Sequence, residues 1–359
     1  MRLAVVSLLA SITAGFWLFV PPDVFPFGRS TSDPAEPRAN EARLAALARA
    51  RVFIGPGHRA VRTALPDAIE CRFIYTAVSG TTPKFDCALA DGERIRVKYG
   101  HTPEIHAEVA ATHLLTALGF AADDVTMVRR VRCHGCPRWP FRTRQVAARL
   151  HLDDFIRDRV HYDGYHDFEW VSVERRDRQQ DLEFGSEEGW AFHELSVVDA
   201  SLGGATGAEV DALRLMAMFL HHWDNKAPNQ RLSCISPMPA PDAGAPEFPR
   251  CDRPLAMLQD VGSTFGPRKV DLEAWSETSI WADSSSCTVS MKTFPYGGGT
   301  FPDVRISEAG RLELAGRLRQ LSPSRIRSIF EYARFSGVDE WVAAFEARAA
   351  EIDRAACKT

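Results

Sequence analysis

The sequence predicts an α+β protein of two lobes, a strand-rich first and a mainly helical second, facing each other across a cleft. Two observations carry this. The stretch "IECRFIYTAVSGTTPKFDCALADGERIRVKYG" (69–100) alternates apolar with polar residues, is rich in β-branched side chains and is broken by "SGTT" and "ADGE" turns. Downstream, "GAEVDALRLMAMFLHH" (207–222) and "SPSRIRSIFEYARFSGVDEWVAAFEARAAEI" (322–352) have helical periods, the second with a break at Ser336-Gly337.

The elements follow in order. Between the strands and the helices, "TPEIHAEVAATHLLTALGF" (102–120) places Ala107, Ala111, Leu114, Leu115 and Leu118 on one helical face, with Gly119 as a C-cap. "DVTMVRRVRC" returns to strand, "EEGWAFHEL" (187–195) is a short strand-like piece, and "PLAMLQDVGSTFG" (254–266) is strand then turn. The expected lobes are 43–190 and 191–359.

The N-terminus has its own organisation. Arg2 precedes an apolar run from Leu3 to Val20, ended by Pro21-Pro22. That is long enough to span a bilayer, with Trp17 and Phe19 suited to its interface. Residues 1–22 thus read as a signal anchor, or a cleaved signal peptide, and 23–42 as a disordered tether. The net charge of −4 argues against nucleic-acid binding. Eight cysteines suit an oxidising compartment, placing the globular part outside the cytoplasm on a membrane anchor. Cys71 and Cys87 flank the "SGTT" turn on two strands. Cys234 and Cys251 bracket a proline-rich insertion, and a bridge there would contribute about 3 kcal/mol. "RCHGCP" (132–137) lacks the second Cys-x-x-Cys that a zinc site needs and follows a strand rather than starting a helix, so a disulfide is its plainest reading. Connectivity is not fixed by sequence.

The chemistry concentrates in "HHWDNKAPNQRL" (221–232), directly after an apolar helix. Asp224 and Asn229 are five apart, with Lys226 between them. Phosphoryl transfer uses a carboxylate to take or orient the acceptor's proton, an amide oxygen to hold metal, and a cation to offset charge. Asp260 follows an apolar strand and precedes Gly262, a place from which one carboxylate can hold Mg²⁺. Three of only six lysines, Lys84, Lys98 and Lys226, fall in these motifs.

These segments resemble the protein-kinase-like superfamily. His222-Trp223-Asp224-Asn225-Lys226 with Asn229 is similar to the kinase catalytic loop, and Asp260-Val261-Gly262 to the metal-binding Asp-Phe-Gly. Trp223 stands where Arg is usual, which weakens any expectation of control through an activation-loop phosphate. "SGTTPKF" (79–85) resembles the Ser-Gly-x-x-Pro-Lys segment of HipA-like kinases, and "HAEVAATHLLTALGF" the equivalent helix of secretory-pathway casein kinases. The resemblance spans about residues 70 to 270. It implies a two-lobed kinase-like fold binding ATP and Mg²⁺ and transferring phosphate to a hydroxyl of a protein, lipid or sugar. Lys98, braced by Glu108, would hold phosphate beneath Gly80 and Lys84. Asp224, with Lys226, would serve the acceptor, and Asn229 and Asp260 the metal.

Plainer readings stand beside these. Lys98 reads as a surface lysine, Glu108 as a partner of Arg129 or Arg130, Asp224 and Asn229 as caps, and Asp260 as a turn residue. Glu104 is a rival to Glu108 that serves as a helix cap. His222 reads as a buried scaffold histidine, and His161, Asp163 and His166 as a solvated loop. The arginine-rich composition suggests a GC-rich bacterial source, whose periplasm lacks ATP. Either the catalytic part faces the cytoplasm, or the donor is not ATP, or the fold serves binding. The last gives a rival function, an inactive kinase-fold binding module of the cell envelope; a cysteine-stapled envelope structural protein is another, which explains the cysteines but not the polar cluster.

Overall fold

The computed structural model describes residues 35–54, 64–76, 80–159, 162–175, 181–185, 189–234, 248–295 and 298–357. The N-terminal apolar run lies outside them. Among the described residues no helix is long and apolar enough to cross a membrane.

Five strands form a closed barrel: β1 (Ala68–Ile74), β2 (Lys84–Ala88), β3 (Arg94–Lys98), β4 (Asp124–His134) and β5 (Tyr165–Arg175). The order is β1-β2-β3-β5-β4. All neighbours are antiparallel except β1 and β4, whose parallel pairing closes the ring. Closure removes the exposed edges that an open sheet would leave. The interior is a small apolar cluster around Phe85, Val97, Val131 and Val171. Disulfide Cys71–Cys87 joins β1 to β2, and Cys133–Cys136 joins the end of β4 to the turn after it.

Helix α1 (Ala35–Ala48) begins inside the segment expected to be a tether. That expectation fails over 35–42 for a physical reason. Ala39, Ala46 and Leu47 bury together, and Arg43 donates to both carboxylate oxygens of Glu194 at 2.6 and 2.8 Å. The apolar positions emerge only when the alanine-rich run is read through to residue 48. The helix packs against the second half of the chain.

The expected central helix is present as α2 (Pro103–Ala117), with Thr102 as N-cap, Pro103 in the first turn and Gly119 at φ +85° past its end. Its alanine face buries fully, so the helix lies close against the barrel. Between β4 and β5 the chain adds α3 (Pro140–Arg149) and α4 (Asp153–Arg159), neither of which the sequence pattern suggested. Of the loop expected at His161, Asp163 and His166, Asp163 is exposed loop, His166 belongs to the start of β5, and His161 lies outside the described residues. The piece expected as strand at 187–195 contains a 3-10 helix, Phe192–Val197. There Glu194 caps the backbone N–H of Ala191 at 2.8 Å, which turns the chain.

The second half holds α5 (Gly207–Leu220), the antiparallel pair β6 (Gln230–Cys234) and β7 (Pro254–Leu258), and α6 (Leu272–Glu277). A short pair, β8 (Thr288–Val289) and β9 (Val304–Arg305), precedes α7 (Glu308–Leu318), α8 (Pro323–Tyr332) and α9 (Val338–Arg354). α8 and α9 are the two expected tail helices. Their core is aromatic, with Phe265, Trp275, Phe330, Phe335 and Trp341 in mutual contact. Cys234–Cys251 closes the proline-rich insertion, and Cys287–Cys357 ties the C-terminus back across 70 residues.

Candidate active site

Strand register brings the sequence motifs together. β6 pairs with β7 so that Gln230 faces Leu258. The residues just before β6 and just after β7 are therefore neighbours, and Gln259 N–H donates to the Asn229 carbonyl at 3.1 Å. This sets Asn229 beside Asp260. Lys98 ends β3, directly opposite Lys84 at the start of β2. The turn from β3 into α2 then carries Glu108 back over Lys98.

The result is a buried ion triad. The Lys98 ammonium donates to Glu108 Oε1 at 2.6 Å and to Asp260 Oδ1 at 2.8 Å. The Lys98 and Glu108 side chains are 3% and 2% exposed, whereas Asp260 is 39% exposed and opens onto the cleft. These contacts rule out the surface-lysine reading of Lys98 and the arginine-partner reading of Glu108. The Lys98 charge holds the Asp260 carboxyl well below the usual carboxylate range. Burial pushes Glu108 up to about 7, against the pull of Lys98. Burial alone would lower the Lys98 pKa, but Asp260 and Glu108 together raise it well above the ordinary lysine value. Asp260 thus stays ionised and faces the opening.

A cleft of about 640 Å³ runs between the barrel and the β6–β7 pair. Gly80, Lys84, Lys98, Lys226, Asn229 and Asp260 all line it. Gly80 turns with φ +81°, and a side chain added there would begin 3.2 Å from the Lys84 ammonium. Lys84 is buried beside Lys98, and burial followed by the Lys98 charge lowers its pKa. Asp224 does not line the cleft itself. It sits behind Lys226, whose ammonium is 3.3 Å from its carboxylate, and its carbonyl accepts from Asn229 Nδ2 at 2.6 Å. Seven of the eight residues read as chemical thus gather here: six on the wall and Asp224 at its margin. Glu108 acts from behind, through Lys98.

His222 is fully buried, and burial lowers its pKa to about 4, as a neutral scaffold residue. Its Nε2 lies 3.2 Å from Gln230 Nε2. Glu104 does not cap α2. Thr102 does, and Glu104 forms an ion pair with Lys269 beyond the Asp260 turn. Between them passes Gly262, where an added Cβ would stand 2.5 Å from Glu104 Cγ, so no larger residue fits. Trp223 donates from Nε1 to the Gly266 carbonyl at 3.2 Å, holding the position usually given to arginine by a backbone contact.

Other residues escaped the sequence reading. Asn225, buried within the loop, donates to the His222 carbonyl at 2.9 Å, and its Oδ1 accepts from Thr300 N–H at 2.7 Å and Phe301 N–H at 3.0 Å. It fixes the loop's shape from inside. Arg348 on α9 reaches the Phe219 carbonyl at 3.1 Å and His221 Nε2 at 3.0 Å, anchoring the end of α5. Gly189 crosses so close that an added Cβ would fall 2.1 Å from the Ala227 and Gln230 carbonyls. Only Asn225 carried a signal, its place within the polar motif. The other two are set by distant segments.

No protein-family model and no curated protein matches the chain. Among solved structures it is similar to a Helicobacter pylori proinflammatory kinase, CtkA, at 11% identity and TM-score 0.42, over 80% of this chain and 95% of that one. It is also similar to a Golgi casein kinase with Mn and ADP bound, at 11% identity and TM-score 0.35, over 88% and 75% of the two chains. A second Golgi casein kinase structure gives 11% identity and TM-score 0.33, over 87% and 74%. Likeness this distant says nothing about chemistry. The barrel lysine, the helix glutamate behind it and the paired motif loops meet across one cleft, the arrangement that the resemblance to protein-kinase-like proteins implies.

Proposed function

We propose that the chain transfers a phosphoryl group from a Mg²⁺-bound nucleoside triphosphate, ATP or a close analogue, to a hydroxyl acceptor. The observation that carries the reading is the Lys98–Glu108–Asp260 triad opening onto one cleft with Asn229. A structural ion pair needs two partners. Here a third group, Asp260, is held ionised with its free edge exposed.

The side chains suit the metal this requires. Asp260 Oδ2 and Asn229 Oδ1 are oxygens without a hydrogen-bond partner among the described residues, on residues that line the cleft. Mg²⁺ commonly takes one or two protein oxygens and leaves its other positions to phosphate and water. When held by Asp260 and Asn229, it would offset negative charge developing on the leaving group. Lys98 would hold the inner phosphates, oriented by Glu108. Lys84 and the Gly80 turn would close over them. The acceptor oxygen bonds to the terminal phosphorus as the bond to the bridging oxygen breaks. Asp224 takes or orients the hydroxyl proton, and Lys226 faces the transferred group.

Four disulfides suit an oxidising compartment, which supports an extracytoplasmic site for the globular part. The N-terminal apolar run would anchor it there.

The test is transfer of radiolabelled terminal phosphate by the full chain, to itself or to generic protein and glycan acceptors. Asp224→Ala is expected to lower the rate by about 10²–10⁴-fold while nucleotide binding persists. Binding without transfer in the unmodified chain would favour the inactive binding module instead.

A further inference from the structure

The insertion between β4 and β5 has no role in the cleft, and its outer surface is unusual. Trp139, Val146, Leu150, Leu152 and Phe155 are 58, 54, 59, 41 and 59% exposed. Five large apolar side chains thus face outward within 17 residues, a denser run than any other among the exposed large hydrophobics of the described residues. Their spacing is helical. With α3 seated on Phe141, residues 139, 146 and 150 fall within about 40° of one another on the opposite side.

Charge adds the second observation. Arg142 and Arg149 flank this apolar stripe along one side, and Arg138 stacks over Trp139 at 5.2 Å. All three are exposed, and none has a carboxylate partner among the described residues. Arg144 is different: it is turned inward onto Asp153 and the Tyr75 ring. From residue 138 to 157 five arginines oppose two aspartates, in a chain whose net charge is −4. An outward apolar stripe edged by unpaired arginines is the make-up of a helix that lies in a lipid interface.

We propose that α3 and α4 form a docking surface for an anionic bilayer. Trp139, Val146, Leu150 and Phe155 enter the headgroup boundary, and Arg138, Arg142 and Arg149 meet lipid phosphates. A second protein chain would also be drawn to apolar area. It would not by itself explain three unpaired arginines along the stripe.

The test reads Trp139 alone, so that the N-terminal apolar run does not confuse it. The full chain and Trp139→Phe are mixed with vesicles whose acyl chains are brominated, of phosphatidylglycerol–phosphatidylcholine or of phosphatidylcholine only. The Trp139 component of the fluorescence is expected to be quenched by the anionic vesicles and about tenfold less by the neutral ones, with quenching weakened by salt. Val146→Glu with Leu150→Glu should abolish it, and Arg142→Gln with Arg149→Gln should shift the midpoint to higher anionic lipid. No Trp139 quenching, equal quenching in the double glutamate variant, or a dimer in solution that this variant dissociates would each overturn the proposal. Unchanged circular dichroism and melting keep the variants interpretable.

Discussion

The two sides of the cleft are built differently. On the barrel side, Lys98 is locked between two carboxylates at 2.6 and 2.8 Å, with almost no exposure. On the loop side, Asp224 and Lys226 stand 3.3 Å apart and are 22 and 41% exposed. The first is rigid before any ligand arrives. The second leaves its groups in solvent, but on a backbone stapled from within by Asn225. A site that receives one invariant partner and one variable partner has reason to be built this way. In the proposed reaction, preorganised charge would stabilise the phosphates without reorganisation, and an open carboxylate would admit an acceptor hydroxyl.

The contrast is broken most severely at Lys98. Lys98→Met leaves the buried Glu108 carboxyl without its cation and beside Asp260, and removing one partner of such a buried pair costs about 3–5 kcal/mol. Denaturant titration should show that loss, together with loss of nucleotide binding. Stability unchanged within error would mean that the triad is not the rigid element described here. Next is Asn225→Ala, which strands the Thr300 and Phe301 N–H groups. An unsatisfied buried donor costs about 1–3 kcal/mol; these two are on half-buried residues, so the loss should lie towards the low end, with melting falling and transfer slowing together. Lys226→Ala is a smaller change. It should lower transfer by about tenfold, or 1.4 kcal/mol of barrier, with no measurable change in melting, because the side chain is half in solvent.

Acid sensitivity is the smallest effect. Burial takes the His222 pKa from 6.5 to about 4. Between those values the unfolded chain binds a proton that the folded chain refuses, so stability falls as pH drops from 6.5 towards 4. His222→Leu should make that decline shallower without removing it, since His221 is lowered by burial in the same way. Identical acid profiles would mean that His222 is charged when folded.

The residues that line the cleft were legible because the proposed phosphate and metal chemistry constrains their types and order. Lys98, Asp224, Asn229 and Asp260 each sit at or just beyond the edge of a periodic segment, where a polar residue stands out, and Glu108 is an acid within an otherwise apolar helical face. Contacts set by tertiary structure were not legible. Lys269 reaches Glu104 across 165 residues, and Arg348 caps a helix 127 positions away. Neither has a local pattern. The α1 helix was missed because a proline, serine and alanine-rich stretch resembles a tether until Ala39, Ala46 and Leu47 find a surface. The α3–α4 insertion was missed because its apolar residues face outward, which inverts the pattern by which helices are read.

The central claim is that Asp260 presents a metal to a nucleotide beside Lys98. Thermal denaturation of the full chain with ATP, with and without Mg²⁺ or Mn²⁺, tests it most directly against Asp260→Asn, which keeps the side chain's size and removes its charge. The account predicts a rise in melting temperature that requires both nucleotide and metal and vanishes in the variant. A rise of the same size in Asp260→Asn, or one independent of metal, would contradict it.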